Sequence, residues 1–96
     1  MAVVYRTHVR IIADILNTAR DYSDNGTGVS ITVLIRRANV SYGRITKILG
    51  RLVDGGLLEE IPEDKASKYK ISERGMEFLK VYSNFEGFVE SFGLKI

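Results

Sequence analysis

Five cations fall between Ser30 and Val53, at Arg36, Arg37, Arg44, Lys47 and Arg51, and no acidic residue interrupts them. Guanidinium and ammonium groups donate charge-assisted hydrogen bonds to phosphate and carboxylate oxygens, so an unneutralised run of them is chemistry suited to a polyanion. The acids follow at once, with Glu59, Glu60, Glu63 and Asp64 grouped together, and the near-balance of 14 basic and 12 acidic residues hides a segregated charge. A charge run is ordinarily only a solvated face. This one is set apart by its place in the order of elements.

The segment "ANVSYGRITKILGRL" carries the run into an amphipathic helix. On a wheel turning 100° per residue, Ile45, Ile48, Leu49 and Leu52 share one side, whereas Gly43, Lys47, Gly50 and Asp54 lie opposite, flanked by Thr46 and Arg51. A helix that enters a major groove needs such an outer face: cations for phosphates, small polar groups for base edges, and little bulk where the groove walls come close. Gly43 and Gly50 each weaken the helix by about 1 kcal/mol relative to alanine. Either the bare face serves a partner, or this is a mediocre helix held by its core face. Tyr42 and Arg44 fill the first turn. Tyr42 lies toward the core edge, where a half-buried structural role and a base contact both fit.

The elements that must position this helix are legible on either side of it. "YRTHVRIIADILNTARDY" places Ile11, Ile12, Ile15, Leu16, Ala19 and Tyr22 on one helical stripe, with Arg6, Arg10, Asp14 and Arg20 off it. "SDNGTG" is a loop. "VSITVLIRRA" is rich in β-branched residues, yet Ile31, Leu34, Ile35 and Ala38 fit a short helix, which predicts an extended entry at Val29 and Ser30 followed by helix 2. Asn39 and Val40 make the turn, Ser41 caps helix 3, and "DGG" stops it with Gly55 or Gly56 left-handed. "LLEEI" and "KYKI" form a hairpin around "PEDKAS", with Tyr69 and Ile71 on one face and Lys68 and Lys70 on the other. Ser72 caps a last helix that runs to about Phe92.

This order, helix, helix, helix, hairpin, helix, is the winged helix-turn-helix plan with an extra C-terminal helix: mainly α with a small β-hairpin, an α+β class. It predicts one domain over 1–96, with a core at 1–71, a wing at about 58–71 and the added helix at 72–93. The wing loop "EDKASK" offers Lys65 and Lys68 to a neighbouring groove or phosphate, while Glu63 and Asp64 would repel a phosphate backbone unless they point away.

"ANVSYGRITKILGRLVDGGLLEE", followed by "KYKISERGMEFL", resembles the small archaeal winged-helix DNA-binding proteins typified by the dimeric chromatin protein of Sulfolobus. The more specific parts are Ala38 to Tyr42, the ending at Leu58, and the pattern from Tyr69 to Gly75, the last shared with other winged-helix regulators. The resemblance implies a cytoplasmic protein that binds duplex DNA through helix 3 and the wing and dimerises through an antiparallel coiled coil of its last helix. It points to Ser41, Tyr42, Arg44 and Lys47. Here the last helix is shorter than in that family's chromatin type and contains Gly87 and Gly93.

All four phenylalanines lie in that helix. Phe78, Tyr82, Phe85, Val89 and Phe92 recur at alternating spacings of four and three, a heptad seam that Leu79 and Phe88 widen. A small core is poorly able to cover so much apolar surface, which predicts a symmetric homodimer ahead of a helix folded back on helix 1.

Catalytic chemistry has no footing. There is no cysteine, His8 is the single histidine, and "DNGTG" lacks the lysine and following helix of a phosphate loop. No cofactor, metal or small-molecule ligand is expected. No run approaches the roughly 20 apolar residues that span a bilayer, and "MAVVYRTHVR" lacks the order of a secretory signal, so the expected location is cytoplasmic, at the nucleoid. The expected partner is double-stranded DNA, bound by a transcriptional regulator or nucleoid component. A winged-helix module for protein contacts in the transcription machinery, using the acidic wing and aromatic helix, is the competing reading.

Overall fold

In the computed structural model, which describes residues 6–23 and 25–96, one device opens every helix. Thr7 accepts a hydrogen bond from the Arg10 amide and starts α1 (His8–Asp21). In the same way Ser30 starts α2 (Ile31–Ala38), Ser41 starts α3 (Tyr42–Asp54) and Ser72 starts α4 (Glu73–Glu90). Each hydroxyl satisfies an amide that the first turn leaves free, worth about 1 kcal/mol. Residues 1–5, which carry part of the secretory-signal reading and the expected start of helix 1, and Asp24 of the loop lie outside the described residues.

The stops are as local as the starts. Asn39 adopts the left-handed conformation (φ 56°) after α2, and Gly56 does so (φ 79°) after α3. There the Leu57 amide returns to the Leu52 carbonyl at 2.9 Å and the Gly56 amide to Val53 at 3.0 Å, a Schellman ending.

The sheet has one strand more than the expected hairpin. β1 (Val29–Ser30), β2 (Leu58–Ile61) and β3 (Lys68–Ile71) pair antiparallel in the order β1-β3-β2, with Val29 opposite Tyr69 and Leu58 opposite Ile71. The extended entry to α2 is thus a strand laid along the hairpin. Gly28 permits it: its φ is 93°, and a Cβ there would stand 2.8 Å from the Tyr69 carbonyl oxygen.

α1 is the hub. It packs on α2, α4 and β3, and its Ile11, Ile15 and Leu16 are fully buried with Leu34 of α2, Ile45 of α3 and Leu58 of β2. Tyr22, placed on the apolar stripe by spacing alone, is instead 48% exposed, and the Arg37 guanidinium covers its ring at 4.8 Å. The buried stripe ends at Ala19 because α1 ends at Asp21, which leaves Tyr22 at the cap.

α4 joins the core through Leu79 and through a close approach at its first turn. A Cβ on Gly75 would collide with the Leu57 carbonyl and the Ile71 side chain, whereas one on Gly87, later in the same helix, would meet nothing within 4 Å. Gly75→Ala should therefore destabilise the protein by about 1–3 kcal/mol, and Gly87→Ala should stabilise it by about 0.5–1 kcal/mol through helix propensity. Urea unfolding midpoints shifting in opposite directions would show both; a neutral Gly75→Ala would mean that the close approach relaxes freely.

Candidate nucleic-acid interface

α3 divides as its wheel requires. Ile45, Ile48, Leu49 and Leu52 are buried, whereas Tyr42, Gly43, Arg44, Thr46, Lys47, Gly50 and Arg51 are all exposed. A Cβ at Gly43 or Gly50 would meet nothing within 4 Å, so no neighbour in the fold demands glycine at either position. What the two glycines provide is a strip of outer face where the helix backbone itself is the surface.

Tyr42 is 66% exposed, so of the two roles its spacing allowed, the half-buried structural one is not what the fold uses. The Ser41 hydroxyl accepts from the Arg44 amide at 3.4 Å and is thereby committed to the cap. Thr46 donates to the Gly43 carbonyl at 3.1 Å, which leaves its oxygen lone pairs facing out.

The cations fall into two groups. Arg6, Arg10, Arg20 and Lys68 are held in ion pairs, and Arg37 lies on Tyr22. Among the described residues no ion pair holds Arg36, Arg44, Lys47, Arg51 or Lys65, nor Lys70, Arg74, Lys80 or Lys95 away from this face. The cations of α3 can meet an outside anion without breaking an internal bond.

Two depressions flank α3. On the α1 side, Arg44, Lys47 and Arg51 line a hollow of about 160 Å³ together with His8 and Ile48. On the sheet side, Thr46, Gly50 and Asp54 face Glu60 and Tyr69 across a groove of about 240 Å³. Burial, then the neighbouring Glu60 charge, raises the Tyr69 pKa, so its phenol stays a donor at neutral pH. The hairpin tip carries Lys65 exposed, with Lys68 only 3.9 Å from the Glu63 carboxylate, a weak and partly solvated pair.

Behind α3 runs a network that periodicity does not reveal. Arg6 donates to Asp14 at 2.8 Å, to the Ala38 carbonyl at 2.7 Å and to the Asn39 carbonyl at 2.5 Å, closing the end of α2 at the turn into α3. Asp14 also receives Arg10 at 3.3 Å, and Arg10 reaches Glu86 of α4 at 2.6 Å. The Tyr82 hydroxyl, Asp14 and Glu86 together push the Arg10 pKa further up. The Tyr82 hydroxyl is buried beside Arg10 without a well-aligned hydrogen bond. Of this network only the Arg10 and Asp14 spacing of four is visible in the sequence.

The aromatic seam of α4 is divided between inside and outside. Phe78 and Tyr82 stack at 6.4 Å and pack against the core, and Val89 is half-buried. Phe85, Phe88 and Phe92 are 53%, 62% and 67% exposed, and Phe88 meets Phe92 edge-on at 5.1 Å. Val81, which lies off the heptad spacing, is 60% exposed and joins them. The outward seam is Val81, Phe85, Phe88 and Phe92, because Phe78, Leu79 and Tyr82 pack toward the core.

Comparison with known proteins agrees with this geometry. Residues 5–89 match the family model described as winged helix-turn-helix. A solved structure of a DNA-binding protein from Sulfolobus solfataricus superposes with a TM-score of 0.79 at 26% identity, covering 91% of this chain and 85% of that one. No curated protein sequence matches.

The Asp14 network yields a stability test. Asp14→Ala removes the shared acceptor of Arg6 and Arg10 and should cost about 1–2 kcal/mol, whereas Asp21→Ala, which breaks only the exposed pair with Arg20, should stay within about 0.5 kcal/mol. Equal losses in denaturant unfolding would mean that the network carries nothing.

Proposed function

Because the chain belongs to the winged helix-turn-helix family, we propose that it binds duplex DNA with α3 in the major groove and the β2–β3 hairpin as the wing. The observation that carries this reading is the outer face of α3. There Arg44, Lys47 and Arg51 are exposed and, among the described residues, free of ion pairs, beside two glycines whose Cβ space is open. Cations of this kind bind phosphates, and the bare backbone lets the helix approach the groove wall. Tyr42 and Thr46 are the α3 side chains offered to base edges, Arg36 and Lys65 reach phosphates on either side, and Arg37 and Lys68 are secondary because each already has a contact.

The working form is a homodimer, closed through the outward seam of α4. Val81, Phe85 and Phe88 on α4, with Phe92 in the turn that follows it, are an apolar patch of the kind that marks an interface. Two α3 helices would then address sites about 34 Å apart, one turn of duplex. The protein acts in the cytoplasm on the nucleoid, as regulator or architectural component. Selection from a random duplex library separates these roles, since an enriched motif identifies a regulator.

Arg44→Ala with Lys47→Ala should lower affinity by about tenfold or more and flatten the salt dependence by about 0.9 in slope for each phosphate left unneutralised. Retention of wild-type affinity would overturn the reading and leave the acidic hairpin and aromatic seam as surfaces for a protein partner. Gly50→Leu should act in two opposed directions: helix propensity raises stability by up to about 1 kcal/mol, while bulk on the groove face weakens DNA binding. Phe85→Glu should shift the protein to monomer in sedimentation, and a wild type that is monomeric at micromolar concentration would sink the dimer.

A further inference from the structure

His8 is exposed at the start of α1, and among the described residues it makes no hydrogen bond, ion pair or ring contact. Its surroundings are all of one sign. The hollow it shares with α3 is lined otherwise by Arg44, Lys47, Arg51 and the apolar Ile48. The three α3 cations recur at intervals of three and four, so they project along one face over two turns.

Among the described residues no carboxylate neutralises the group. The first turn of α1 contains no acid, and Asp14, further along the helix, is occupied by Arg6 and Arg10. On α3 the single acid is Asp54, past Arg51 at the helix end, where it faces the opposite groove with Glu60. The acids of α4 and the wing do not line the hollow. The three α3 cations around a concavity that no described carboxylate compensates repel one another in the free protein, and an anion with several acceptor oxygens relieves that repulsion.

We infer that His8, Arg44, Lys47 and Arg51 form a phosphate-binding cleft between α1 and α3 that holds the DNA backbone beside the groove-facing strip, with His8 making the binding proton-linked. This rests on the DNA-binding reading above and adds to it a residue from outside the helix-turn-helix. The cleft adjoins the strip of Gly43, Lys47 and Gly50, so one duplex can occupy both, with Lys47 common to them. An imidazolium offers an N–H donor and a charge to the phosphate, whereas the neutral ring offers the donor alone. Histidine is the side chain that makes this change between about pH 5 and pH 8.

The test uses the full chain, with wild type, His8→Gln and His8→Lys titrated against a labelled random-sequence duplex at about pH 6 and pH 8 over a range of salt. At pH 6 the wild type should show a salt slope steeper than His8→Gln by about 0.9, one phosphate's worth of counterions, and at pH 8 the two should converge. His8→Lys should keep the steep slope at both values. Unchanged Tm in all three keeps the comparison clear of folding effects. If the wild type binds duplex and His8→Gln matches it at both pH values, the cleft is overturned and the DNA reading stands. If the wild type fails to retain duplex at either pH, both fall together.

Discussion

Everything the outer face of α3 can do depends on the anchoring of its inner face. Ile45, Ile48, Leu49 and Leu52 are buried, and Ile45 lies in the fully buried set with Ile11, Ile15 and Leu16 of α1 and Leu58 of β2. At about 1.5–3 kcal/mol for each fully buried aliphatic side chain, those four positions outweigh the roughly 2 kcal/mol that two interior glycines cost. The core face thus stabilises a helix whose exposed face is poor by propensity. That imbalance permits a bare cationic strip to sit on a rigid element, where its groups keep fixed spacing.

The same partition governs the charges. Cations that hold the fold have partners: Arg6 bonds two carbonyls and Asp14, and Arg10 bridges Asp14 to Glu86. Those of α3 have none among the described residues. An exposed pair contributes only about 0–1 kcal/mol, so leaving Arg44, Lys47 and Arg51 unpaired costs the native state little. A pre-existing partner would have to be displaced before any anion could bind. Net charge cannot express this difference, since all these side chains count equally in it.

What was legible in the sequence was whatever is local or periodic. The four helices, the hairpin, the Ser41 and Ser72 caps, the turn at Asn39 and the division of α3 into two faces all follow from spacing and from residues with special backbone or capping chemistry. What escaped depends on distant contacts. β1 is two residues long and exists only by pairing with β3, so Val29 and Ser30 look merely extended in isolation. Arg6 finds its carbonyls 32 and 33 positions away. His8 joins α3 cations from another helix, and in the sequence it is a lone histidine. On α4 the heptad fixes which residues are apolar, but only the docking of Leu79 and Tyr82 decides which of them face out.

α4 is accordingly two structures in one helix. Its first half is bound to the core by Leu79 and by the close approach of Gly75 to Leu57, and its second half exposes Phe85 and Phe88, with Phe92 exposed in the turn after Glu90. Glu86 lies at the junction, and through Arg10, Asp14 and Arg6 it is connected to the carbonyls that close α2. Charge-assisted bonds add geometric specificity to the apolar packing between these elements. In the dimer proposed above, a partner seated on the outer seam of α4 would therefore orient the α2–α3 turn as well as tether it. Two helix-turn-helix units joined in this way have a fixed separation, and a fixed separation is what matching to successive turns of a duplex requires.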